Sequence, residues 1–406
     1  MKLNPLIRLT GATGLTAVFA TLLSAGQLTV TVTHDLDAPR RAEMIEVPWS
    51  TLTEYIPKPM IDHLVVRSVA DGAAVPSQVL NYPSTPGGSG QHALIFQHDF
   101  AAGEKTAVFL IETTEQPVPP WPAKVFARYV PERYDDFAWE NDLVAHRTYG
   151  PALAAPAAPG THKEVLVSSG LDVWCKRVAY PVIDRWYLKE HEGYDYHVDT
   201  GEGLDFYSVH TSRGIGGTGI WDGRQLRVSG NWTSWRVLAN GPIRAVFELG
   251  YDTWDAGGPL VSEVKRITVD AGHQLDRIES TFAVTDNAPE FSVAIGVAKH
   301  ADIPGQVATD RAGGWIAYWE HYPKNGQLGT GVVLGAGPAE GFAEDGTNHL
   351  LLAKLISDQP LVYFAGAGWE PRGTITSAKD WTAYLAAFAR QLHSPIRVSF
   401  APAKSK

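Results

Sequence analysis

Ile243-Arg-Ala-Val-Phe-Glu-Leu-Gly-Tyr251 places an apolar side chain at every second position, with Arg244 and Glu248 on the opposite side. That period of two is the signature of an extended strand with one buried and one wetted face. The pattern continues on both sides. Leu226-Arg-Val-Ser and Ser234-Trp-Arg-Val-Leu precede it, and Glu263-Val-Lys-Arg-Ile-Thr-Val269 follows. In Asp276-Arg-Ile-Glu-Ser-Thr-Phe-Ala-Val284, Ile278, Phe282 and Val284 form one apolar face against Arg277, Glu279 and Thr281. Phe291-Ser-Val-Ala-Ile-Gly-Val-Ala-Lys299 alternates large with small and ends at His300. Long antiparallel strands, each with one wet face, predict a large two-layer sheet with one concave side open.

Upstream, residues 27–117 predict an immunoglobulin-like β-sandwich. Leu28-Thr-Val-Thr-Val-Thr33, Ala93-Leu-Ile-Phe-Gln-His98 and Thr106-Ala-Val-Phe-Leu-Ile-Glu112 read as strands, with turns at Asp71-Gly72, Thr85-Pro-Gly-Gly88 and Ala102-Gly103. Gln116-Pro-Val-Pro-Pro-Trp-Pro122 is a stiff linker into a second domain over 118–401. Residues 151–160, rich in Ala and Pro, read as a loop. Near the end, Trp381, Tyr384, Leu385, Phe388 and Leu392 recur at helical spacing, with Asp380 as expected N-cap and Pro395 as stop.

Residues 1–26 read as a secretory signal: Lys2 and Arg8 precede an apolar run from Leu15 to Leu23, then Ser24-Ala-Gly26. The expected location is therefore periplasmic or extracellular, with no membrane contact once the signal is removed. The single cysteine, Cys175, forms no internal disulfide. A formal charge of −10 argues against a nucleic acid as partner. Thirteen Trp among 406 residues supply flat apolar faces with polar edges, the surfaces on which sugar rings stack.

Three polar stretches stand out. Tyr194-Asp-Tyr-His-Val-Asp-Thr-Gly-Glu-Gly-Leu-Asp-Phe-Tyr207 gathers one His and four carboxylates among aromatics and glycines. Ser212-Arg-Gly-Ile-Gly-Gly-Thr-Gly-Ile-Trp221 surrounds Arg213 with glycines, which read as a loop that lets backbone approach a ligand. It lacks the ending of a phosphate-binding loop. Asp136-Phe-Ala-Trp-Glu-Asn-Asp-Leu-Val-Ala-His-Arg-Thr-Tyr-Gly150, read as one extended strand, places Trp139, Asn141 and Arg147 on one face and Glu140, Asp142 and His146 on the other. Together these stretches look like the floor and rim of a polar cleft.

Residues 137–153 (FAWENDLVAHRTYGPAL), 172–177 (DVWCKR), 196–209 (YHVDTGEGLDFYSV), 212–223 (SRGIGGTGIWDG), 237–249 (VLANGPIRAVFEL) and 363–369 (YFAGAGW) resemble the bacterial family of domains of unknown function numbered 4861. The resemblance covers most of 120–393. It implies a mainly β chain whose second domain is similar to the galactose-mutarotase-like β-supersandwich, and it implies acidic glycans of plants and algae as the substrate class. That scaffold hosts several reactions, so the chemistry must be read from the site.

The expected activity is that of a secreted carbohydrate-active enzyme, a carbon–oxygen lyase or dehydratase, working by β-elimination on a uronate-containing oligosaccharide. Such a reaction needs the carboxylate neutralised, a base for the adjacent proton and an acid for the leaving oxygen. Arg147, Arg213 and Asn141 are candidates for the carboxylate, with Asp205, Trp174 and Trp221 as further binding residues. His197 or Lys176 is the candidate base, and Tyr207 or His146 the acid. Glu202 with His197 would instead suit a mutarotase or epimerase. Glu140, Glu202 and Asp205 would suit hydrolysis by two carboxylates. A non-catalytic glycan-binding protein is a further reading. No cofactor and no metal is expected, because His197 and Asp199 alone do not make a ligand set. Each of these residues also has a plain structural role open to it: turn capping for Glu202 and Asp205, an internal ion pair for Arg147, carbonyl satisfaction for Arg213.

Overall fold

The computed structural model describes residues 26–82, 90–160, 163–285 and 291–403. The expected secretory signal lies outside the described residues apart from Gly26, as does the turn expected at Thr85–Gly88.

The chain is mainly β. The strands read from the sequence between 234 and 284 are neighbours in one eight-stranded antiparallel sheet. Its order is Ser234–Ala239, Arg244–Asp255, Leu260–Asp270, Leu275–Val284, Pro360–Trp369, Gly326–Leu334, Trp315–Tyr322, Gly305–Asp310. Two five-stranded sheets cover it. One holds Ile215–Trp221 between Leu226–Arg227 and Ser292–Ala298, followed by Asn348–Lys354 and Gly341–Glu344. The other runs Gly203–Asp205, Asp172–Lys176, Val144–Thr148, Asp136–Glu140, Phe126–Val130. Ile278, Phe282, Val332 and Tyr363 of the large sheet share one buried core with Ile220, Val293, Ile295 and Leu351 of the first cover and with Phe137, Trp139 and Val173 of the second. Burial of the two facing apolar sides holds these layers together.

The glycine-rich stretch after Arg213 is not a loop. Ile215–Trp221 is a strand, buried up to its last residue, with a register shift between Ile215 and Thr218. Gly216 has φ +88°, and a Cβ there would lie 2.4 Å from Ala365 Cβ. What the backbone approaches at this glycine is the large sheet.

The segment 136–150 is likewise not one strand. Asp136–Glu140 and Val144–Thr148 form a hairpin that pairs Trp139 with His146 and Ala138 with Arg147. Asn141 makes the turn, accepting through Oδ1 from the Leu143 and Val144 amides. The turn changes the faces: Trp139 shares a face with His146, and Arg147 shares the opposite face with Asp136.

Toward the N-terminus, a three-stranded sheet (Arg40–Pro48, Gln91–Phe100, Ser77–Asn81) packs on a four-stranded one through Val30, Ile45, Phe96, Phe109 and Ile111. The strand Arg397–Pro402, grouped by sequence order with the second domain, belongs to this four-stranded sheet. It pairs with Leu28–Thr33 from Thr33↔Arg397 to Leu28↔Pro402.

The helix expected near the end spans Ala378–His393 and buries Trp381, Leu385 and Ala389 against Trp315, Ala317, Trp319 and Val333. Its N-cap is Ser377, whose side chain accepts from the Asp380 amide at 3.2 Å; Asp380 lies inside the first turn. Three helices were not apparent in the sequence, the first being Trp49–Tyr55 in the N-terminal part. Pro151–Ala154 is a single turn begun by proline, and Ile183–His191 lies beside the polar stretches.

Candidate active site

The second cover sheet is buried on both sides. Phe137, Trp139, Val144, Val173, Cys175 and Leu204 point into the main core. The alternate residues Ala138, Ala145 and Trp174 point outward, beneath Val182, Ile183, Trp186, Tyr187 and Tyr196. The helix Ile183–His191 and the loop after it therefore roof the outer face.

Two buried carboxylates fasten this roof. Glu140 accepts from the Val182 and Ile183 amides at 2.9 Å, satisfying donors at the helix start, and from Lys176 Nζ at 2.5 Å. Lys176 also donates to Asn141 O. Glu202 holds the other end, accepting from Lys189 at 2.6 Å and from Arg185 and Tyr180 at 2.7 Å. Burial acts against its charge, yet these three donors bring its carboxyl down to about 2. At neutral pH Glu202 exchanges no proton.

At the roof's open edge one guanidinium meets three aspartates. Arg147 donates to Asp172 Oδ2 at 2.7 Å, to Asp205 Oδ2 at 3.0 Å and to the Tyr196 hydroxyl at 3.0 Å, and lies 3.7 Å from Asp136 Oδ2. Tyr187 donates to Asp136 and Tyr149 to Asp172. Arg147, with Arg133 acting on Asp136 and Asp205 without a direct bond, leaves the three buried carboxylates short of compensating charge. Burial, opposed by Arg147, moves Asp136 up to about 6. Burial and the neighbouring charge of Asp172 hold Asp205 well above the carboxylate range. Both effects favour the protonated form of Asp205 over the charged one.

Asp205 forms the floor of a cavity of about 330 Å³. Arg147, Tyr149, His197 and Tyr207 line it, with Arg133 and His210. His197 stands at the mouth, half-exposed, stacked on Tyr196 with ring centroids 4.4 Å apart. Its Nδ1 hydrogen-bonds to Asp195 Oδ1 at 2.7 Å, which turns Nε2 to within 3.7 Å of Asp205 Oδ2. An imidazole fixed by a carboxylate on one side and facing a buried acid on the other is a proton-transfer arrangement. Behind the wall, His300 hydrogen-bonds through Nε2 to Ser208 O at 2.7 Å and through Nδ1 to Glu320 at 2.8 Å. Burial opposes a charge on His300, but the hydrogen bond and charge of Glu320 prevail and raise it.

Four of the predicted residues, His197, Asp205, Tyr207 and Arg147, meet at this cavity. Arg147 does so with its guanidinium already committed. The others are elsewhere, each for a visible reason. Glu202 faces the helix and Lys176 lies under it, where burial, opposed by Glu140, lowers its affinity for a proton. Asn141 is spent on the hairpin turn and on the Asp270 and His273 carbonyls. Trp174 is sealed beneath Trp186 at 5.4 Å and offers no face to a sugar. His146 points into the core against Trp139, its ring kept neutral down to about 4 by burial. Arg213 is fully buried, donating to Ser169 Oγ at 2.7 Å, and burial brings it down to about 10. Trp221 ends its strand opposite Leu226 and Ser292.

Asp136, Asp172, Asp195, Arg133 and His210 were not singled out in the sequence. Recognising Asn141 as a turn residue would have put Asp136 on the side of Arg147. Among the described residues no group of three or more His, Cys, Asp and Glu side chains is arranged to hold a metal ion.

The model of the family described as Domain of unknown function (DUF4861) matches residues 32–398. A curated protein of Formosa agariphila, Uncharacterized protein P7, is 33% identical over 382 residues, covering 91% of this chain and 92% of that protein. Among solved structures, an alpha-mannosidase from Enterococcus faecalis aligns at 9% identity with a TM-score of 0.47, over 92% of this chain and 46% of the other. A protein in glycosyl hydrolase family 38 from the same organism aligns at 10% identity with a TM-score of 0.48, over 94% of this chain and 48% of the other. The chain spans about half the length of these two structures.

Proposed function

We propose that the chain, which belongs to the DUF4861 family, is an exported sugar-active enzyme that moves protons between a saccharide and the pair His197 and Asp205. The observation that carries this reading is the line Asp195–His197–Asp205 opening onto a cavity, with a 2.7 Å contact on one side of the imidazole and 3.7 Å on the other. The roles suit elimination on a uronate. His197 Nε2 takes the proton from the carbon beside the carboxylate. The electron pair of that C–H bond forms the new C=C bond, the C–O bond at the neighbouring carbon breaks, and Asp205 protonates the departing oxygen. Arg133, rather than Arg147 or Arg213, receives the carboxylate, since it lines the cavity and, beside its 3.2 Å bond to Glu164, its Nη1 has no hydrogen-bond partner among the described residues. The apolar run and small residues within 1–26 support export.

A second reading has its own support. The cavity wall sets Asp205 and Glu164 against Arg133 and Arg147, and the buried Asp136 and Asp172 behind it also draw on Arg147, so no net positive charge faces the cavity. That balance favours a neutral sugar, and the same acid and imidazole would serve proton exchange between an anomeric hydroxyl and the ring oxygen.

Incubation with oligogalacturonates and with neutral hexoses separates the two. Ultraviolet absorbance from a new C4–C5 double bond supports elimination. Accelerated exchange of anomers by NMR, without absorbance, supports mutarotation. New reducing ends without a double bond would replace both with hydrolysis, and binding with no reaction would leave a glycan-binding protein.

A further inference from the structure

The cavity is not the only opening at this edge. A groove of about 760 Å³ runs along the outer side of the helix Ile183–His191, bordered by Arg128, Tyr134, Asp184 and Leu188. Arg133 and Glu164 stand in the walls of both. Small-ligand sites span about 300–1,000 Å³. The cavity lies near the lower limit and the groove in the upper half, so together they hold more than one sugar ring.

Tyr134 is presented to this groove in an unusual way. Its φ is +51° and that of Asp135 is +63°, two successive left-handed residues without a glycine. Asp135 is tied down by the Tyr129 hydroxyl and by the Ala152 amide at 3.1 Å. The fixed turn leaves the Tyr134 ring 42% exposed. Arg133 lies 5.5 Å and Lys163 Nζ 5.6 Å from the ring centroid. The described contacts of Lys163 are this ring and the Ala155 carbonyl. Leu188, 58% exposed, adds an apolar spot across the groove. A bare ring flanked by cations, with carboxylates of Asp184 and Glu190 nearby, suits the flat face and the hydroxyls of a pyranose.

We propose that this groove binds the continuing chain of a linear oligosaccharide whose end sits in the cavity, one residue there and at least two along the groove. The proposal rests on the sugar reading above and extends it from a monosaccharide to a chain.

Calorimetric titration of oligogalacturonates and manno-oligosaccharides of one to five residues, into the wild type and Tyr134→Ala, tests it. In one series affinity should rise about tenfold or more from one residue to three, a step of ordinary stacking size, and Tyr134→Ala should abolish the gain. Lys163→Ala, which leaves the strained turn unchanged, should reduce the same gain. Affinity that ignores chain length, a length dependence that survives both substitutions, or no binding in either series would overturn the proposal. Turnover measured alongside keeps the two readings apart. Reaction without length dependence removes the groove and leaves the chemistry; length-dependent binding without reaction removes the chemistry and leaves the groove.

Discussion

Arg147 donates through Nη2 to Asp205 Oδ2 at 3.0 Å. The guanidinium that looks free to receive a ligand is therefore held by a carboxylate of the protein itself. The consequence lies in Asp205, which shares that cation with Asp136 and Asp172 and is pushed by burial and by Asp172 toward its protonated form.

His197→Gln keeps a polar side chain at the cavity mouth but removes the titrating group. The kcat should fall by about 10²-fold or more, the usual weight of a general acid or base. Asp195→Asn should cost less, because it alters only the partner that fixes the imidazole. Initial rates between pH 5 and 9 on any saccharide that reacts provide the check. Near wild-type kcat in His197→Gln removes this residue from the mechanism.

Lys176→Met leaves Glu140 charged and buried with only backbone amides to satisfy it. Losing one partner of a buried pair costs about 3–5 kcal/mol. Urea unfolding should show a loss of that size. The double variant Lys176→Met with Glu140→Gln should recover part of it, since no charge is then stranded.

Asp276 has one oxygen hydrogen-bonded by Trp139 Nε1 at 2.6 Å and is raised to about 7 by burial. The sign follows from linkage. The folded state holds this proton more tightly than the unfolded chain, so the contribution is fully present below about pH 4 and is lost as pH rises toward 7. Asp276→Asn, which cannot ionise, should change stability little near pH 4. Near pH 8 it should gain on the order of 3 kcal/mol over the wild type. Denaturant midpoints at the two pH values decide it, and an equal effect at both contradicts the assignment.

Glu202 behaves in the opposite sense. Its folded value of about 2 means that its stabilisation is present above the ordinary carboxylate range and is lost as pH falls from about 4.5 toward 2. The Arg185 side chain is 55% exposed, so solvent screens much of the pairing. Glu202→Gln should therefore cost only about 1–2 kcal/mol. The loss should appear locally, as faster amide exchange over residues 183–191, with chemistry at the cavity continuing.

The half of the large sheet from Ser234 to Val284 was readable because its strands bury one face and wet the other, so each shows a period of two. The helix Ala378–His393 was readable because Trp381, Leu385 and Leu392 recur on one stripe. Two features hid from that reasoning. The Asn141 turn interrupts a run whose alternation continues on either side, so a hairpin looked like one strand and Asp136 was separated from Arg147. The helix Ile183–His191 carries only Ile183, Trp186 and Tyr187 as its buried contacts, among charged neighbours that read as loop. Missing that roof made Trp174 and Lys176 look available. It also left Glu202 and Asp205 looking alike, although one secures the helix and the other floors the cavity.

Arg397–Pro402 lies beside Leu28–Thr33 along its full length. During synthesis the first strand must wait, one edge unpaired, until about 370 further residues have been made. The N-terminal sheet is thus among the last parts to be completed, although it is made first. Cutting the chain at the proline-rich segment 116–122 would release a fragment with an open, adhesive border, not a self-sufficient module.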